Sequence, residues 1–230
     1  MGQSVNLPTS GLHCIGAYRA DPAGTPRGGI VVVQEIFGVN AHIRRVVDGY
    51  ADAGYVAIAP ALFDHLESGV ELEYDEAGVA RGRALAGELG FDRAVEAVAS
   101  AAQAIASAGR IGVVGFCWGG TVAFLSATRL GLPAVVYYGG RSVPFLQETA
   151  RAPLLFHFGE NDPIIPPAHV ALHRELQPQA EFHVYPAGHG FNCDARADFD
   201  PASAALARER SLAFFARELD SSANAEPAHE

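Results

Sequence analysis

Six short runs of β-branched and aromatic residues recur along the chain, and the segments between them have the spacing of helices. Strands that alternate with helices indicate a mostly parallel sheet, because each parallel connection has to cross back over a face of the sheet. The pattern therefore predicts an α/β fold in which helices cover both faces of a central sheet. The predicted strands are residues 30–34, 55–59, 111–115, 134–138, 154–158 and 181–185.

The remaining elements follow from periodicity and from the positions of glycine and proline. Residues 12–19 predict a further strand near one edge, across a Pro- and Gly-rich turn at 21–29, and the pattern leaves open whether it pairs antiparallel. The predicted helices are residues 42–53, one or two within 75–108 with a break at Gly90, then 118–129, 167–176 and 202–219. The last helix is expected to direct these side chains largely toward the core: Leu206, Leu212, Phe214 and Phe215.

The composition is that of a globular protein with a large core. Of the 230 residues, 49% are hydrophobic and 18% are charged, which is too little charge for a disordered chain. We expect one domain over residues 1–220, followed by a disordered tail of small and polar residues over 221–230. A monomer is the expected state.

Charge and patterning argue against several classes of partner. The formal net charge is -10, and no basic run could follow a phosphate backbone, so nucleic acid is not an expected partner. The first residues carry neither a secretory signal nor a myristoylation pattern, and no apolar stretch approaches the ~18 residues of a membrane span. We therefore expect a cytoplasmic protein that does not associate with membranes.

The cysteines and histidines do not predict a metal site. Cys14, Cys117 and Cys193 are widely scattered and lack C-x-x-C spacing, so neither a disulfide framework nor a zinc site is expected. His169 and His173 are four residues apart, but no acidic or cysteine ligand lies within their turn. The expectation is that the protein needs no metal and no cofactor.

Residues 111–120 contain the most informative motif of the chain. The predicted strand runs into Gly115-Phe116-Cys117-Trp118-Gly119 and then into a predicted helix. A G-x-S-x-G sequence in that context forms a sharp turn that exposes the central nucleophile and needs small residues on either side of it. Here Cys117 takes the place of the serine, and the positive end of the following helix favours a thiolate. The motif predicts an enzyme that transfers acyl groups.

A thiolate nucleophile needs a base beside it and an acid to orient that base. Asp162 follows the predicted strand at 154–158, and His189 follows the predicted strand at 181–185 in a Gly-flanked turn. Taken singly, Cys117 is equally a small buried residue, Asp162 a helix cap and His189 a loop residue. The order nucleophile, acid, histidine is the one that an α/β-hydrolase sheet imposes, and it predicts a catalytic triad.

Together these motifs resemble the dienelactone hydrolases, or carboxymethylenebutenolidases, which are cysteine-bearing α/β-hydrolases. The resemblance extends from about Gly11 to Leu219. It implies the α/β-hydrolase fold and hydrolysis of a lactone or activated ester through a thioester on the cysteine. The segments that carry it are Gln34-Glu35-Ile36-Phe37-Gly38 with Asn40 and Ile43-Arg44, then Pro60-Ala61-Leu62-Phe63, the turn around Cys117, Gly159-Glu160-Asn161-Asp162 and Gly188-His189-Gly190-Phe191.

The resemblance also assigns roles that the pattern alone does not. It implies that Glu35 contacts the resting thiol of Cys117 and takes up its proton when a ligand binds, which leaves a thiolate paired with His189. By itself, Glu35 is equally a solvated residue at a strand end. The backbone N–H groups of Ile36 and Trp118 are expected to form the oxyanion hole.

One position departs from the family pattern. An arginine that binds a substrate carboxylate lies four residues after the histidine in the family, and that position is Cys193 here. Arg196 is close by, but an arginine three residues further along a loop need not reproduce the same bidentate geometry. The other candidate arginines, which equally suit a solvated helix face, are Arg81 and Arg83. The candidate aromatic contacts, each equally explained by the core, are Phe37, Phe63, Trp118 and Phe191.

Two alternatives to lactone hydrolysis stay open. A thioesterase or small-ester carboxylesterase on the same scaffold would turn over thioesters or aryl esters but not dienelactone. A ligand-binding or redox-sensing protein would oxidise Cys117 reversibly, with Cys193 as its resolving thiol. If the protein is a lactone hydrolase or an esterase, the expected partner is a small lactone or ester.

Overall fold

The computed structural model describes residues 1–9 and 14–220 and contains one eight-stranded sheet. Its strands are β1 (Gln3–Pro8), β2 (Cys14–Ala20), β3 (Gly29–Val33), β4 (Val56–Pro60), β5 (Ile111–Phe116), β6 (Ala134–Tyr137), β7 (Leu154–Gly159) and β8 (Glu181–Tyr185). Its α-helices are α1 (Ala41–Asp52), α2 (Glu76–Ala104), α3 (Trp118–Arg129), α4 (Pro167–Leu176) and α5 (Pro201–Leu219). Short 3-10 turns cover Leu62–His65, Ala106–Ala108 and Gly140–Phe145.

The strand order across the sheet is β1-β2-β4-β3-β5-β6-β7-β8. All neighbours from β4 to β8 pair in parallel, whereas β2 pairs antiparallel with both β1 and β4. The predicted α/β fold with a mostly parallel sheet is confirmed. Because parallel strands all point the same way, the loops after β3, β5, β6, β7 and β8 lie along one edge of the sheet.

The N-terminal hairpin extends the sheet further than predicted. The strand expected at residues 12–19 is found as β2, with its first two predicted positions outside the described residues, and its pairing is antiparallel. Sequence reasoning missed β1, which is the true edge strand. Only Leu7 of β1 is fully buried, so the hydrophobic signal of this strand is too weak to detect.

The central strands supply most of the core. Every residue of β3, β4, β6 and β7 is buried, as expected for strands covered on both faces. Burying each Val, Leu, Ile or Phe side chain contributes roughly 1.5–3 kcal/mol, so these strands supply much of the stability of the scaffold that positions the site. Within the described residues, no helix is long and apolar enough to cross a membrane. The predicted tail at 221–230 lies outside the described residues.

Two features of the helices can be compared with the predictions made from the sequence pattern. Gly90 interrupts α2 with φ 74° and ψ 167°, so the predicted break is confirmed. The prediction for Leu206 is wrong, because this side chain is 40% exposed. The buried face of α5 is set by residues three or four apart, and Leu206 lies one position, or about 100°, away from that face. The buried residues of α5 are Ser203, Ala207, Ser211, Phe214, Phe215 and Leu219.

Candidate active site

Cys117 lies in a strained turn between β5 and α3. Its backbone has φ 53° and ψ -117°, which is unusual for a residue with a side chain. The turn closes only because its neighbours are glycines: a Cβ at Gly115 would lie 1.9 Å from the carbonyl oxygen of Gly119, and one at Gly119 would lie 2.2 Å from that of Gln34. The thiol is partly buried, at the mouth of a cavity.

Three side chains from three strand ends meet at this turn. His189 Nε2 lies 3.2 Å from Cys117 Sγ, and His189 Nδ1 lies 2.7 Å from Asp162 Oδ2. The second oxygen of Asp162 accepts hydrogen bonds from the backbone N–H groups of Ile164 (2.8 Å) and Ile165 (3.2 Å), which fix the carboxylate. The structure thus brings together the nucleophile, base and orienting acid that the sequence predicts, in hydrogen-bonding order.

His189 is electrostatically prepared to hold a proton. Burial by itself would lower the pKa of this histidine, but its hydrogen bonds to Asp162 and Cys117, and the charges of those two groups, outweigh burial. The net effect raises the pKa of His189 from 6.5 to about 10. An imidazolium stabilises a neighbouring thiolate, so His189 is suited to pair with a thiolate on Cys117.

Glu35 is buried beside this site but has a different partner from the one the resemblance implies. Its Oε1 atom accepts a hydrogen bond from Arg196 Nη1 at 3.3 Å, and no group of the described residues bonds its buried Oε2 atom. The side chain is 1% exposed. The contact of Glu35 with Cys117 that the resemblance implies is therefore not among the hydrogen bonds of the described chain.

Arg196 reaches Glu35 across a glycine. Gly190 has φ +80°, and a Cβ on it would lie 2.8 Å from Arg196 Cζ. The guanidinium also lies 6.0 Å from the ring centroids of Phe37 and Tyr74. Arg196 thus reaches the site from a position three residues after Cys193, through a single contact with Glu35 and not the bidentate geometry of an ideal arginine clamp.

The cavity in front of Cys117 has a volume of about 90 Å³ and is partly open to solvent, so it suits a compact reacting group while the rest of a substrate can extend outward. A larger cavity of about 600 Å³ lies near Asn40 and Tyr74, but neither Cys117 nor His189 lines it. Among the predicted contacts, Phe37, Trp118, Arg83 and Arg196 line the cavity at the nucleophile. Its full lining is Ile36, Phe37, Val79, Arg83, Cys117, Trp118, Tyr138, Gly140, Arg141, Ile164, His189 and Arg196.

Three of the predicted substrate contacts do not line this cavity, so their prediction is wrong. Arg81 forms an ion pair with Glu67 at the surface, because the helix turns its side chain away from Arg83 and the cavity. Phe191 is fully buried, and its ring packs in the aromatic core. Phe63 is also a core residue, packed against Trp118.

The predicted oxyanion hole has free donors. Trp118 is the first residue of α3, and no side chain caps this helix end. Within residues 1–9 and 14–220, the turns and loops contain no backbone hydrogen bond that is donated by the N–H of Trp118 or of Ile36. Both residues line the cavity beside Cys117. Such amides can stabilise an oxyanion that forms next to the sulfur.

Tyr138 is a site residue that sequence reasoning missed. It has a positive φ of 40°, its ring centroid lies 5.1 Å from that of His189, and it lines the cavity. Its buried hydroxyl has no hydrogen-bond partner in the described chain, and burial raises the pKa of that hydroxyl well above its ordinary value. A signal was available, because Tyr138 is the last residue of the predicted strand at 134–138 and two glycines follow it.

Tyr138→Phe tests this hydroxyl against its neighbour. Because the group is buried and unpaired, its removal is expected to leave the melting temperature unchanged or raised, while kcat/KM falls about tenfold through loss of a hydrogen bond to substrate. The matched control is Tyr137→Phe, whose hydroxyl bonds Ser211 at 2.8 Å; it is expected to lose about 1 kcal/mol of stability with unchanged kinetics. Thermal unfolding and steady-state kinetics measure both, and unchanged kinetics in Tyr138→Phe would contradict the assignment.

One group of side chains has the composition of a metal site. The donor atoms of His42, Cys193 and Asp194 lie within 4.8 Å of one another, and it is the one such group in the part of the chain that the structure describes. His42 Nδ1 lies 2.9 Å from Asp194 Oδ1, which also accepts a hydrogen bond from Arg45. These contacts give the cluster a structural explanation.

Comparison with known proteins shows that the chain is similar to dienelactone hydrolases over most of its length and not only at the site. The model of the Dienelactone hydrolase family matches residues 15–219. A carboxymethylenebutenolidase of Pseudomonas putida is 33% identical over 226 residues, which cover 93% of this chain and 96% of its own. Carboxymethylenebutenolidase 1 of Cupriavidus pinatubonensis is 30% identical over 219 residues, covering 90% and 93%. A crystal structure from Klebsiella pneumoniae, provisionally named a dienelactone hydrolase, has a TM-score of 0.84 at 31% identity, covering 94% of this chain and 98% of its own.

Proposed function

The chain belongs to the dienelactone hydrolase family, and from that membership we propose that it hydrolyses a compact lactone or activated ester by attack of Cys117 on the carbonyl carbon. The resemblance drawn from the motifs is confirmed, and the protein is an enzyme of the carboxylic ester hydrolase class. The observation that carries the proposed mechanism is the hydrogen-bonded series Cys117, His189 and Asp162 in front of a small cavity. We also propose that residues 1–220 act as one domain.

In the proposed acylation step, the Cys117 thiolate forms a bond to the carbonyl carbon, and the carbonyl oxygen becomes an oxyanion between the N–H groups of Ile36 and Trp118. The tetrahedral intermediate collapses, the bond to the leaving oxygen breaks, and a thioester remains on Cys117. The leaving oxygen, or the carbon of its enolate, then takes the proton of the His189 imidazolium, so that His189 is neutral when the thioester has formed. A thiolate suits such weakly basic leaving groups, because sulfur is itself readily expelled when the leaving group is poor.

In the proposed deacylation step, neutral His189 removes a proton from water as the water oxygen attacks the thioester carbonyl. Collapse of the second tetrahedral intermediate breaks the bond to sulfur, releases the carboxylic acid and restores the thiolate paired with imidazolium. Asp162 holds the imidazole in the orientation that both steps need, because its second oxygen is fixed by two backbone amides.

Glu35 has a proposed role in setting the charge of the thiol. Its carboxylate is buried, and only one of its oxygens is bonded, to Arg196. A buried carboxylate with a free oxygen is a suitable acceptor for the proton that Cys117 loses. The resemblance supports this role, and the 3.2 Å approach of His189 Nε2 to Cys117 Sγ is compatible with the pair that would form after proton transfer.

The alternatives have less support. Small esters stay within the proposed chemistry, whereas the curated relatives are named for a lactone substrate and not for a thioester. For a redox cycle, Cys193 would have to attack as a thiolate. It is fully buried, and burial, together with the nearby charge of Glu35, raises the pKa of its thiol to about 11. A thiol of this kind reacts slowly at neutral pH, which argues against Cys193 as a resolving cysteine.

The proposed function is tested by steady-state hydrolysis of cis- and trans-dienelactone and of p-nitrophenyl acetate. We expect turnover of dienelactone by the wild type and by Cys193→Ser, and none above background by Cys117→Ala. Turnover of the ester alone would keep the mechanism but replace the lactone by another substrate. Absence of any turnover that depends on Cys117, or its loss in Cys193→Ser, would contradict the proposal.

A further inference from the structure

The arginines of this chain are almost all paired. The chain has no lysine, and its sixteen basic residues are arginines that all lie within the described ranges. All but two of them form a hydrogen bond, an ion pair or a ring contact with the described residues. The two exceptions are Arg83 and Arg141, and both line the cavity at Cys117.

The two unpaired arginines lie on different sides of the nucleophile. Arg141 follows β6, which neighbours the strand of Cys117 on one side; the backbone N–H of Cys117 donates to Tyr137 of β6 at 3.0 Å. Arg83 comes from α2, which packs against the loop after β3 on the other side. A Cβ on Gly82 would lie only 2.1 Å from the carbonyl oxygen of Ile36. The scissile carbonyl at Cys117 would therefore have a free guanidinium on each side.

The charges of the protein do not neutralise these two groups. The carboxylates of the site are engaged elsewhere, since Glu35 pairs with Arg196 and Asp162 with His189. The chain as a whole has a net charge of -10, so the unpaired arginines at the cavity are opposite in sign to the protein's overall charge. Guanidinium groups prefer carboxylates or phosphates, which they bind through two parallel hydrogen bonds. Positive charge around a cleft also concentrates anionic substrates there.

We propose that the substrate carries two anionic groups, one on the acyl side and one on the leaving-group side of the bond that Cys117 cleaves. Arg141 binds the group on one side and Arg83 the group on the other. The inference rests on the proposed hydrolase function, and it adds a second charge to the single carboxylate that the family resemblance implies. Arg141 is then a specificity-determining residue that the sequence motifs do not reveal.

Four matched esters test this assignment. The acyl group is crotonyl or fumaryl, in which a carboxylate replaces the methyl group of crotonyl. The leaving group is 4-hydroxy-3-nitrobenzamide or 4-hydroxy-3-nitrobenzoate, in which a carboxylate replaces the carboxamide. Each ester releases a coloured nitrophenolate. Dividing the kcat/KM of a variant by that of the wild type for the same ester removes the effect of the ester's intrinsic reactivity. Arg141→Gln is expected to lower kcat/KM about tenfold or more for esters charged at one end, and less than about twofold for the neutral ester. Arg83→Gln is expected to do the same at the opposite end.

Arg81→Gln is the matched control, because it removes an arginine of the same helix whose side chain lies outside the cavity. It is expected to leave all four ratios unchanged. The inference would be overturned if either variant lowered kcat/KM equally for all four esters, or if the wild type showed no preference for the charged esters. It would also be overturned if both variants affected the charge at the same end of the ester. Absence of turnover of the neutral ester that depends on Cys117 would instead show that the proposed function itself fails, and the inference with it.

Discussion

Cys117→Ala is expected to lower kcat for every ester and lactone substrate by a factor on the order of 10⁴ or more. The sulfur is the only atom of this residue that can form the covalent intermediate, and it lies 3.2 Å from the base. Cys117→Ser is also expected to be severely impaired, because a hydroxyl does not form an ion pair with imidazolium at neutral pH as a thiolate does. Steady-state kinetics with p-nitrophenyl acetate and dienelactone measure both variants.

Cys14→Ala is the matched control for this prediction. Cys14 is an exposed free cysteine at the start of β2, so its loss is expected to leave kcat and the melting temperature unchanged. A Cys117→Ala protein that keeps its fold and more than about a tenth of the activity would contradict a nucleophilic role of Cys117. Near-ultraviolet circular dichroism of the variants shows whether the fold is kept.

Asp162→Asn is expected to lower kcat/KM by about 10³–10⁴. The amide oxygen can still accept hydrogen bonds from Ile164 and Ile165, so the turn is retained. The amide nitrogen, however, would face His189 Nδ1 and disfavour the tautomer that presents a base to Cys117. The substitution also removes a cause of the raised pKa of His189, so this pKa is expected to fall from about 10. Glu160→Gln, an exposed neighbour in the same turn, is the matched control.

The pH dependence of stability gives this variant a second measurement. A folded-state pKa of about 10, raised from 6.5, stabilises the fold fully below about pH 6.5, and the contribution is lost as the pH rises through about 10. The difference between wild type and Asp162→Asn in the free energy of unfolding is therefore expected to be largest near pH 6 and smaller near pH 10. Urea titrations at the two pH values measure it. A difference that grows with pH would contradict the charged pairing of His189 and Asp162.

Much of the site could be predicted because it is local in sequence. The glycines around Cys117 indicate a turn with almost no free space. Asp162 follows the fully buried strand β7, and His189 follows β8, whose aromatic and β-branched residues predict a strand. Parallel strands bring such strand ends to one edge of a sheet, so order along the chain becomes proximity in space. The same reasoning could have found Tyr138, had the residues after β6 been weighed like those after β5.

Other features depend on which way a side chain turns, and the pattern does not contain that information. Arg81 and Arg83 are two residues apart on one helix, yet only Arg83 lines the cavity. Arg196 reaches Glu35 only because Gly190 leaves space for its guanidinium. The cluster of His42 with Asp194 joins residues about 150 positions apart on different elements. Each of these is a product of tertiary packing, which periodicity does not encode.

The most direct measurement is to trap the acyl-enzyme and find the residue that carries it. Wild-type protein is mixed with excess p-nitrophenyl acetate, quenched in acid within the first turnovers, digested and mapped by mass spectrometry. The account predicts one acetyl group, on the peptide that contains Cys117, which forms and decays at rates fast enough to account for turnover. Turnover with no acyl group on Cys117, or with the acyl group on another residue, would contradict it.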